Sequence, residues 1–162
     1  MEQDVSVYKT VLLDSLKDKW EVLEEILEVT NRQEALLAED ELSADAFEAT
    51  LDEKEQLIAR MQELDNGFQN LYDRIGTTLQ DEAQLYKSQI LEMQNYIRVI
   101  TDCSVKIQAL EHSNKEKFAS FASRKRKDIR EFKANNKTAV SYYQNMANQH
   151  HEWQTYFVDK KN

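Results

Sequence analysis

The near absence of turn-forming residues constrains this chain more than any other feature. Its 162 residues include no proline, and the only glycines are Gly67 and Gly76. A sheet needs turns at short intervals, and those turns are made mainly by Gly and Pro. Charged residues make up 31% of the chain, and such a composition is typical of long helices. The sequence therefore predicts an all-α protein.

Three apolar stripes with helical spacing predict three long helices. The first ends at about Leu37, the second runs from a capping Ser43 to Gly76, and the third continues to about residue 111. Ser43 suits an N-cap because its hydroxyl can accept a hydrogen bond from a free amide, and glycine is common where helices end. Helices of about 33 residues are each about 50 Å long. Because short connections favour pairing of sequence neighbours, we expect residues 1–112 to form an elongated antiparallel bundle or coiled coil.

Polar residues interrupt these stripes. Thr30 and Gln33 lie on the first stripe, where burial would require hydrogen bonds across the seam. Lys54 lies on the second stripe, and two interpretations are open for it: its ammonium group reaches water along the bundle edge, or it forms a register-setting pair with a glutamate of the first helix. Cys103 lies on the third stripe and is predicted to fill the core.

Charge separates the C-terminal part of the chain from the rest. Residues 1–114 contain 10 Lys and Arg against 25 Asp and Glu, whereas residues 115–137 contain 9 against 3. The third apolar pattern continues through this basic segment as far as Asn135 and Asn136. We therefore expect residues 113–162 to form a helical extension that overhangs the bundle or pairs with a second subunit or a client.

The extension contains the candidate binding residues. Five of the 15 aromatic residues lie in residues 138–162, which is typical of a binding segment. An alternative is that this tail folds back and completes the core. The candidate client-binding residues are Phe118, Phe121, Ile129, Phe132, Tyr143, Met146, Trp153 and Phe157.

The basic run has three interpretations: a solvated helix face, a nucleic-acid surface, or a contact with an acidic protein. An acidic body repels phosphate, and few aromatics are placed to stack on bases, so the sequence favours the other two over nucleic acid. An acidic client helix or the acidic body of a second subunit would pair with this charge. The candidate electrostatic contacts are Arg124, Arg126 and Arg130.

Other classes of function have little support in the sequence. No stretch approaches the roughly 20 apolar residues of a membrane helix, and the N-terminus lacks the pattern of a signal peptide, so we expect a cytoplasmic protein. There is no Gly-rich phosphate loop, and a slender bundle offers carboxylates little enclosure. On a helix, the adjacent His150 and His151 would point about 100° apart, so we expect no metal site there. We expect no enzyme activity, no cofactor and no metal.

Several motifs resemble those of one chaperone family. The first helix ends in Gln33–Leu37, an acidic break follows at residues 38–43, and residues 108–110 lead into the basic segment. The second helix and the C-terminus add Leu51, Lys54, Leu57, Ile58, Leu64 and the closing residues Tyr156–Lys161. In these features the chain resembles the FlgN-type flagellar export chaperones, particularly members of clostridial type. FliT-type chaperones share nearly the same pattern.

The resemblance implies a function and its partners. Members of this family hold hook-filament junction proteins before secretion, with C-terminal helices that clasp an amphipathic helix of the client. In some members a C-terminal tyrosine docks on the export gate, and Tyr142, Tyr143 and Tyr156 are the candidates here. The alternatives from the sequence are a coiled-coil adaptor or homodimer in which residues 113–162 pair with themselves, and a nucleic-acid-associated regulator.

Overall fold

A computed structural model describes residues 2–124 and 129–146, and side chains from residue 7 to 124 and from 131 to 146. This part of the chain contains helices and no strand. The helices are α1 (Glu2–Leu37), α2 (Ala44–Asp81), α3 (Lys87–Arg124) and α4 (Ile129–Asn135), and residues 137–146 are also helical. The prediction of an all-α fold with three long packed helices is confirmed. Within the described residues, no helix is long and apolar enough to cross a membrane.

The connection between α1 and α2 lies where the sequence predicted it. Helix α1 ends at Leu37, and Ser43 precedes the first residue of α2. The Ser43 hydroxyl oxygen accepts a hydrogen bond from the backbone N–H of Ala46 at 3.4 Å, which satisfies one of the free amides of the first turn.

The predicted stop at Gly76 is wrong, because α2 continues through Gly76. The backbone N–H of Glu82, the residue after the helix, donates to the Thr78 carbonyl at 3.0 Å. Gly76 is buried, and a Cβ atom placed on it would lie only 3.1 Å from Cε1 of Tyr72. The Tyr72 ring also stacks on Phe68, with centroids 6.0 Å apart. Glycine at this position therefore makes room for an aromatic ring instead of ending the helix.

Helix α1 packs against both α2 and α3 and forms the centre of the bundle. Lys19 pairs with Asp65 at 2.7 Å, so the middle of α1 lies beside the middle of α2. Near the end of α1, Glu34 lies 3.9 Å from Lys117 of α3. Large side chains with at most 1% exposure line the shared core, and they include Leu12, Leu16, Leu23 and Ile26 of α1, Leu51 and Met61 of α2, and Ile100 and Ile107 of α3.

The C-terminal part of the described chain returns to the bundle. Helix α3 runs without a break through residue 112 to Arg124. Residues 137–146 then lie beside the beginning of α2, where the Thr138 hydroxyl donates to Glu48 at 3.3 Å. In this part of the chain the apolar pattern beyond residue 111 packs against the chain's own helices.

The two glycines of α2 offer a matched test of this packing. We expect Gly67→Ala to raise the free energy of unfolding by about 0.5–1 kcal/mol, because Ala is the better helix former and nothing lies within 4 Å of a Cβ at Gly67. Gly76→Ala should not raise the free energy of unfolding in this way, because the new Cβ would force the Tyr72 ring to move. Urea unfolding of both variants measures the difference, and equal stabilisation by both would contradict the packing at Gly76.

Candidate functional site

A layer of buried polar side chains crosses the bundle and joins all of its main helical segments. Each of its members is at most 6% exposed. We call this set the polar layer, and it consists of Thr30 and Gln33 of α1, Thr50 and Lys54 of α2, Glu111 and Asn114 of α3, and Tyr142 of residues 137–146.

Lys54 is the centre of the polar layer. Its ammonium group forms an ion pair with the carboxylate of Glu111, and both side chains are only 1% exposed. The same group donates to Oε1 of Gln33 at 2.5 Å. It also lies 5.3 Å from the centre of the Tyr142 ring, within the range of a cation–π contact. One cation therefore holds groups from three other segments of the chain.

The remaining hydrogen bonds connect α1 to its neighbours on both sides. Nε2 of Gln33 donates to the Thr50 hydroxyl at 3.1 Å, so the Gln33 amide contacts α2 with both of its polar atoms. On the α3 side, Nδ2 of Asn114 donates to the Thr30 carbonyl at 3.2 Å, and the Thr30 hydroxyl lies 3.4 Å from Glu111. Together these bonds fix the position of α1 between α2 and α3.

Burial changes the proton affinities in this layer. Burial lowers the pKa of Lys54, although the neighbouring Glu111 carboxylate opposes that shift. The pKa of Tyr142 is well above its usual value, mainly because the ring is buried and also because Glu111 lies beside it. Burial likewise raises the pKa of Tyr143. Both tyrosines therefore remain neutral at physiological pH.

The seam predictions can be compared with this geometry. The prediction of cross-seam hydrogen bonds from Thr30 and Gln33 is confirmed. Lys54 does not reach water, and its carboxylate partner is Glu111 of α3 instead of a glutamate of α1. The signal for Glu111 was its place four residues after the apolar Ile107 on the third stripe. Cys103 is buried, as predicted.

The ion pair predicts a strong coupling between two substitutions. Lys54→Met or Glu111→Leu alone should lower the free energy of unfolding by about 3–5 kcal/mol, because each leaves the other charge buried without its partner, while the double variant should recover most of that loss. A double-mutant cycle by urea unfolding measures the coupling.

The control for this cycle is the Arg32–Glu53 pair, which has a 2.7 Å separation but is about half exposed. Arg32→Met should cost less than about 1 kcal/mol. Additive effects of Lys54→Met and Glu111→Leu would contradict the ion pair.

An aromatic cluster lies beside the polar layer, at the end of the bundle near the α1–α2 connection. The ring of Phe118 is its centre, with centroid distances of 5.9 Å to Phe47, 5.4 Å to Phe132 and 5.2 Å to Tyr143. The rings come from α2, α3, α4 and residues 137–146. Contacts of this kind add to the free energy gained from burial of the rings alone.

Most of the predicted client-binding residues that can be placed lie in this part of the core. Each of those with a described side chain is at most 7% exposed: Phe118, Phe121, Phe132, Tyr143 and Met146. The side chain of Ile129, and Trp153 and Phe157 entirely, lie outside the described residues. For Tyr143 and Met146, the structure therefore shows the fold-back arrangement that the sequence left open.

The basic residues can be placed only in part. Arg124 is exposed, and its guanidinium carbon lies 4.6 Å from the centre of the Phe121 ring. Arg126 and the side chain of Arg130 lie outside the described residues. An electrostatic contact with a partner remains a prediction for all three.

Two of the three candidate docking tyrosines lie in the core of the bundle. Tyr142 and Tyr143 are buried, and their rings pack edge to face with centroids 5.2 Å apart. Tyr156 lies outside the described residues. For Tyr142 or Tyr143 to dock on a partner, residues 137–146 would have to leave the bundle.

The tyrosine pKa shifts predict a loss of stability in alkali. In the folded state, Tyr142 and Tyr143 keep their protons at pH values where unfolded tyrosines release them, near the usual pKa of 10.0. The free energy of unfolding that the two neutral tyrosines contribute is therefore complete below pH 10.0 and is lost as the pH rises above it. The lowered pKa values of Lys19 and Lys54 act in the opposite direction. They raise stability with pH up to the usual lysine value of 10.5 and add no slope beyond it. Urea unfolding at about pH 10.5 and about pH 11.5 should therefore show the decline. A Tyr142→Phe/Tyr143→Phe variant should show a smaller one, and an unchanged slope would contradict the assignment.

A further candidate site lies on the surface of α3 and faces solvent, unlike the buried polar layer and aromatic cluster. A hollow lined by Trp20, Glu92, Asn95, Tyr96 and Val99 adjoins another hollow that contains Leu85, Ser88 and Leu91 and shares Glu92 and Asn95. We call the exposed surface of residues 84–106 the α3 face. The apolar residues of this face lie off the third stripe, so the sequence pattern did not indicate it. Within the described residues, no group of acidic, histidine or cysteine side chains is arranged to bind a metal.

Comparisons of the chain with protein-family models, with curated proteins and with solved structures found no match.

Proposed function

We propose that this protein is a cytoplasmic, non-enzymatic chaperone that holds a flagellar export client before secretion, in the manner of the FlgN-type chaperones that it resembles. Its clients would be hook-filament junction proteins or related export substrates. The packing proposed for its body is an antiparallel coiled coil of three long helices.

The observation that supports this proposal best is the single long helical body fixed by the polar layer. The contacts of Lys54 hold α1, α2, α3 and residues 137–146 in one register. A body of this kind suits a holder, because a preformed surface loses less entropy when it binds a client helix.

The proposed client-binding clasp contains fewer residues than the sequence indicated. Met146 and the rings of the aromatic cluster contribute to the core of the chain itself. Within residues 113–162, the strongest candidates for client contact are therefore Trp153 and Phe157, which follow Met146 in the sequence. Tyr156 is the favoured candidate for docking on the export gate, because Tyr142 and Tyr143 are in the core.

The basic segment has a proposed role in client capture. Lys115, Arg124, Lys133 and Lys137 are exposed, so an acidic surface of the client can approach them. Charge complementarity of this kind mainly raises the association rate. Arg126 and Arg130 belong to the same segment of the sequence and are included in this proposal.

Two truncations separate the clasp from the core. A chain that stops after Met146 should keep its melting temperature and lose co-purification with hook-filament junction proteins. A chain that stops after Asn135 should also melt earlier, because it lacks the buried Ala139, Tyr142, Tyr143 and Met146. Circular dichroism melts and affinity co-purification measure both effects.

Point variants of the full chain provide the matched controls. Trp153→Ala or Phe157→Ala should weaken client binding by about 1–4 kcal/mol, the range of buried aromatic anchors, whereas Val11→Ala at an exposed position of α1 should not. Normal client capture by the chain that stops after Met146 would exclude the tail as the clasp.

A further inference from the structure

The α3 face has an internal symmetry that the bundle itself does not require. Leu91 and Val99 lie at equal distances before and after Asn95, and so do Leu85 and Val105. Their exposed fractions are 51% and 36% for the inner pair, and 68% and 58% for the outer pair. At about 100° per residue, Leu91 and Val99 project roughly 40° to either side of Asn95. On α3 itself, the exposed Leu91 and Val99 are thus placed symmetrically about one amide side chain, while Leu85 lies in the turn before the helix.

The charge of this face also differs from that of the body around it. Residues 1–114 carry 10 basic against 25 acidic residues, and two such bodies repel each other. On the α3 face the charges nearly cancel, and all of them are exposed: Lys87, Arg98 and Lys106 against Glu92 and Asp102. The α3 face is therefore a part of the body where a second acidic chain can approach closely.

We propose that the α3 face binds the same face of a second copy of this chain, with the two α3 helices side by side in opposite directions around a two-fold axis at Asn95. Leu91 of each copy then lies level with Val99 of the other. Lys87 of each copy comes beside Asp102 of the other. Asn95 meets its own counterpart, and an amide at such a position fixes the register of a helix pair.

The symmetry favours a second copy over a client helix. In a two-fold interface the same surface serves both partners, so it must be complementary to itself when reversed. The Leu91–Val99 pairing meets that condition, and Lys87 comes within one residue of the level of the opposite charge at Asp102. Binding of a single client helix does not require a surface that is complementary to itself. The hollow beside Trp20 and Tyr96 adds apolar surface at the edge of the contact. This inference does not depend on the proposed chaperone function.

Cysteine cross-linking tests the position of the two-fold axis. In a Cys103→Ser background, Asn95→Cys should form a disulfide-linked dimer rapidly under mild oxidation, because only a two-fold contact centred there places residue 95 next to itself. Val11→Cys, at an exposed position of α1, is the matched control and should cross-link many times more slowly. Equal rates for the two variants would overturn the proposal.

The mass in solution gives an independent measurement. Multi-angle light scattering of the wild-type chain should give about twice the monomer mass of 19.1 kDa. Leu91→Lys should return the mass to that of the monomer and leave the helical content by circular dichroism unchanged, because Leu91 is exposed in the single chain. Val7→Lys, at another exposed apolar position, should remain dimeric. A wild-type monomer at all concentrations, or a dimer that persists in Leu91→Lys, would refute the α3 contact.

Discussion

The buried ion pair between Lys54 and Glu111 is the constraint on which the rest of the structure depends. Removing two charges from water costs several kcal/mol for each ion unless each finds well-placed partners. Here the partners come from different helices, with Gln33 in α1 and Tyr142 in residues 137–146. A shift of any helix by one turn would leave a charge without its partner. We infer that the polar layer contributes more to the choice of one register than to total stability.

Local sequence patterns predicted the helices well, because a helix is specified by spacing along the chain. The stripes and the Ser43 cap required no knowledge of distant contacts. The end of α2 was predicted wrongly because it depends on a side-chain contact and not on spacing alone. A glycine allows a helix to end, but it also allows a ring to pack against the backbone, and the position of Tyr72 decides between the two. The continuation of α3 past residue 112 was visible in the stripe, but its packing partner was not.

The candidate site was less predictable because its contacts join distant parts of the sequence. Lys54 and Gln33 could be recognised as polar residues on apolar stripes, whereas the Lys54–Glu111 pair links residues 57 positions apart. The aromatic residues near the C-terminus present a further ambiguity. Core packing and client binding both require large apolar side chains, so Phe118 and Tyr143 satisfy either requirement in the sequence. Only the structure shows that they pack together.

The use of these aromatics in the core has a consequence for binding. If Phe118, Phe132 and Tyr143 stabilise the bundle, client affinity in the proposed chaperone would come from a smaller set of side chains. A pair of chains joined through the α3 face would compensate, because each particle would carry two C-terminal segments. A second segment held near the first binds at a high effective concentration when both sites can be reached. In the proposed dimer, two C-terminal segments of modest affinity would thus hold a client that presents more than one helix, without any additional contact in each segment.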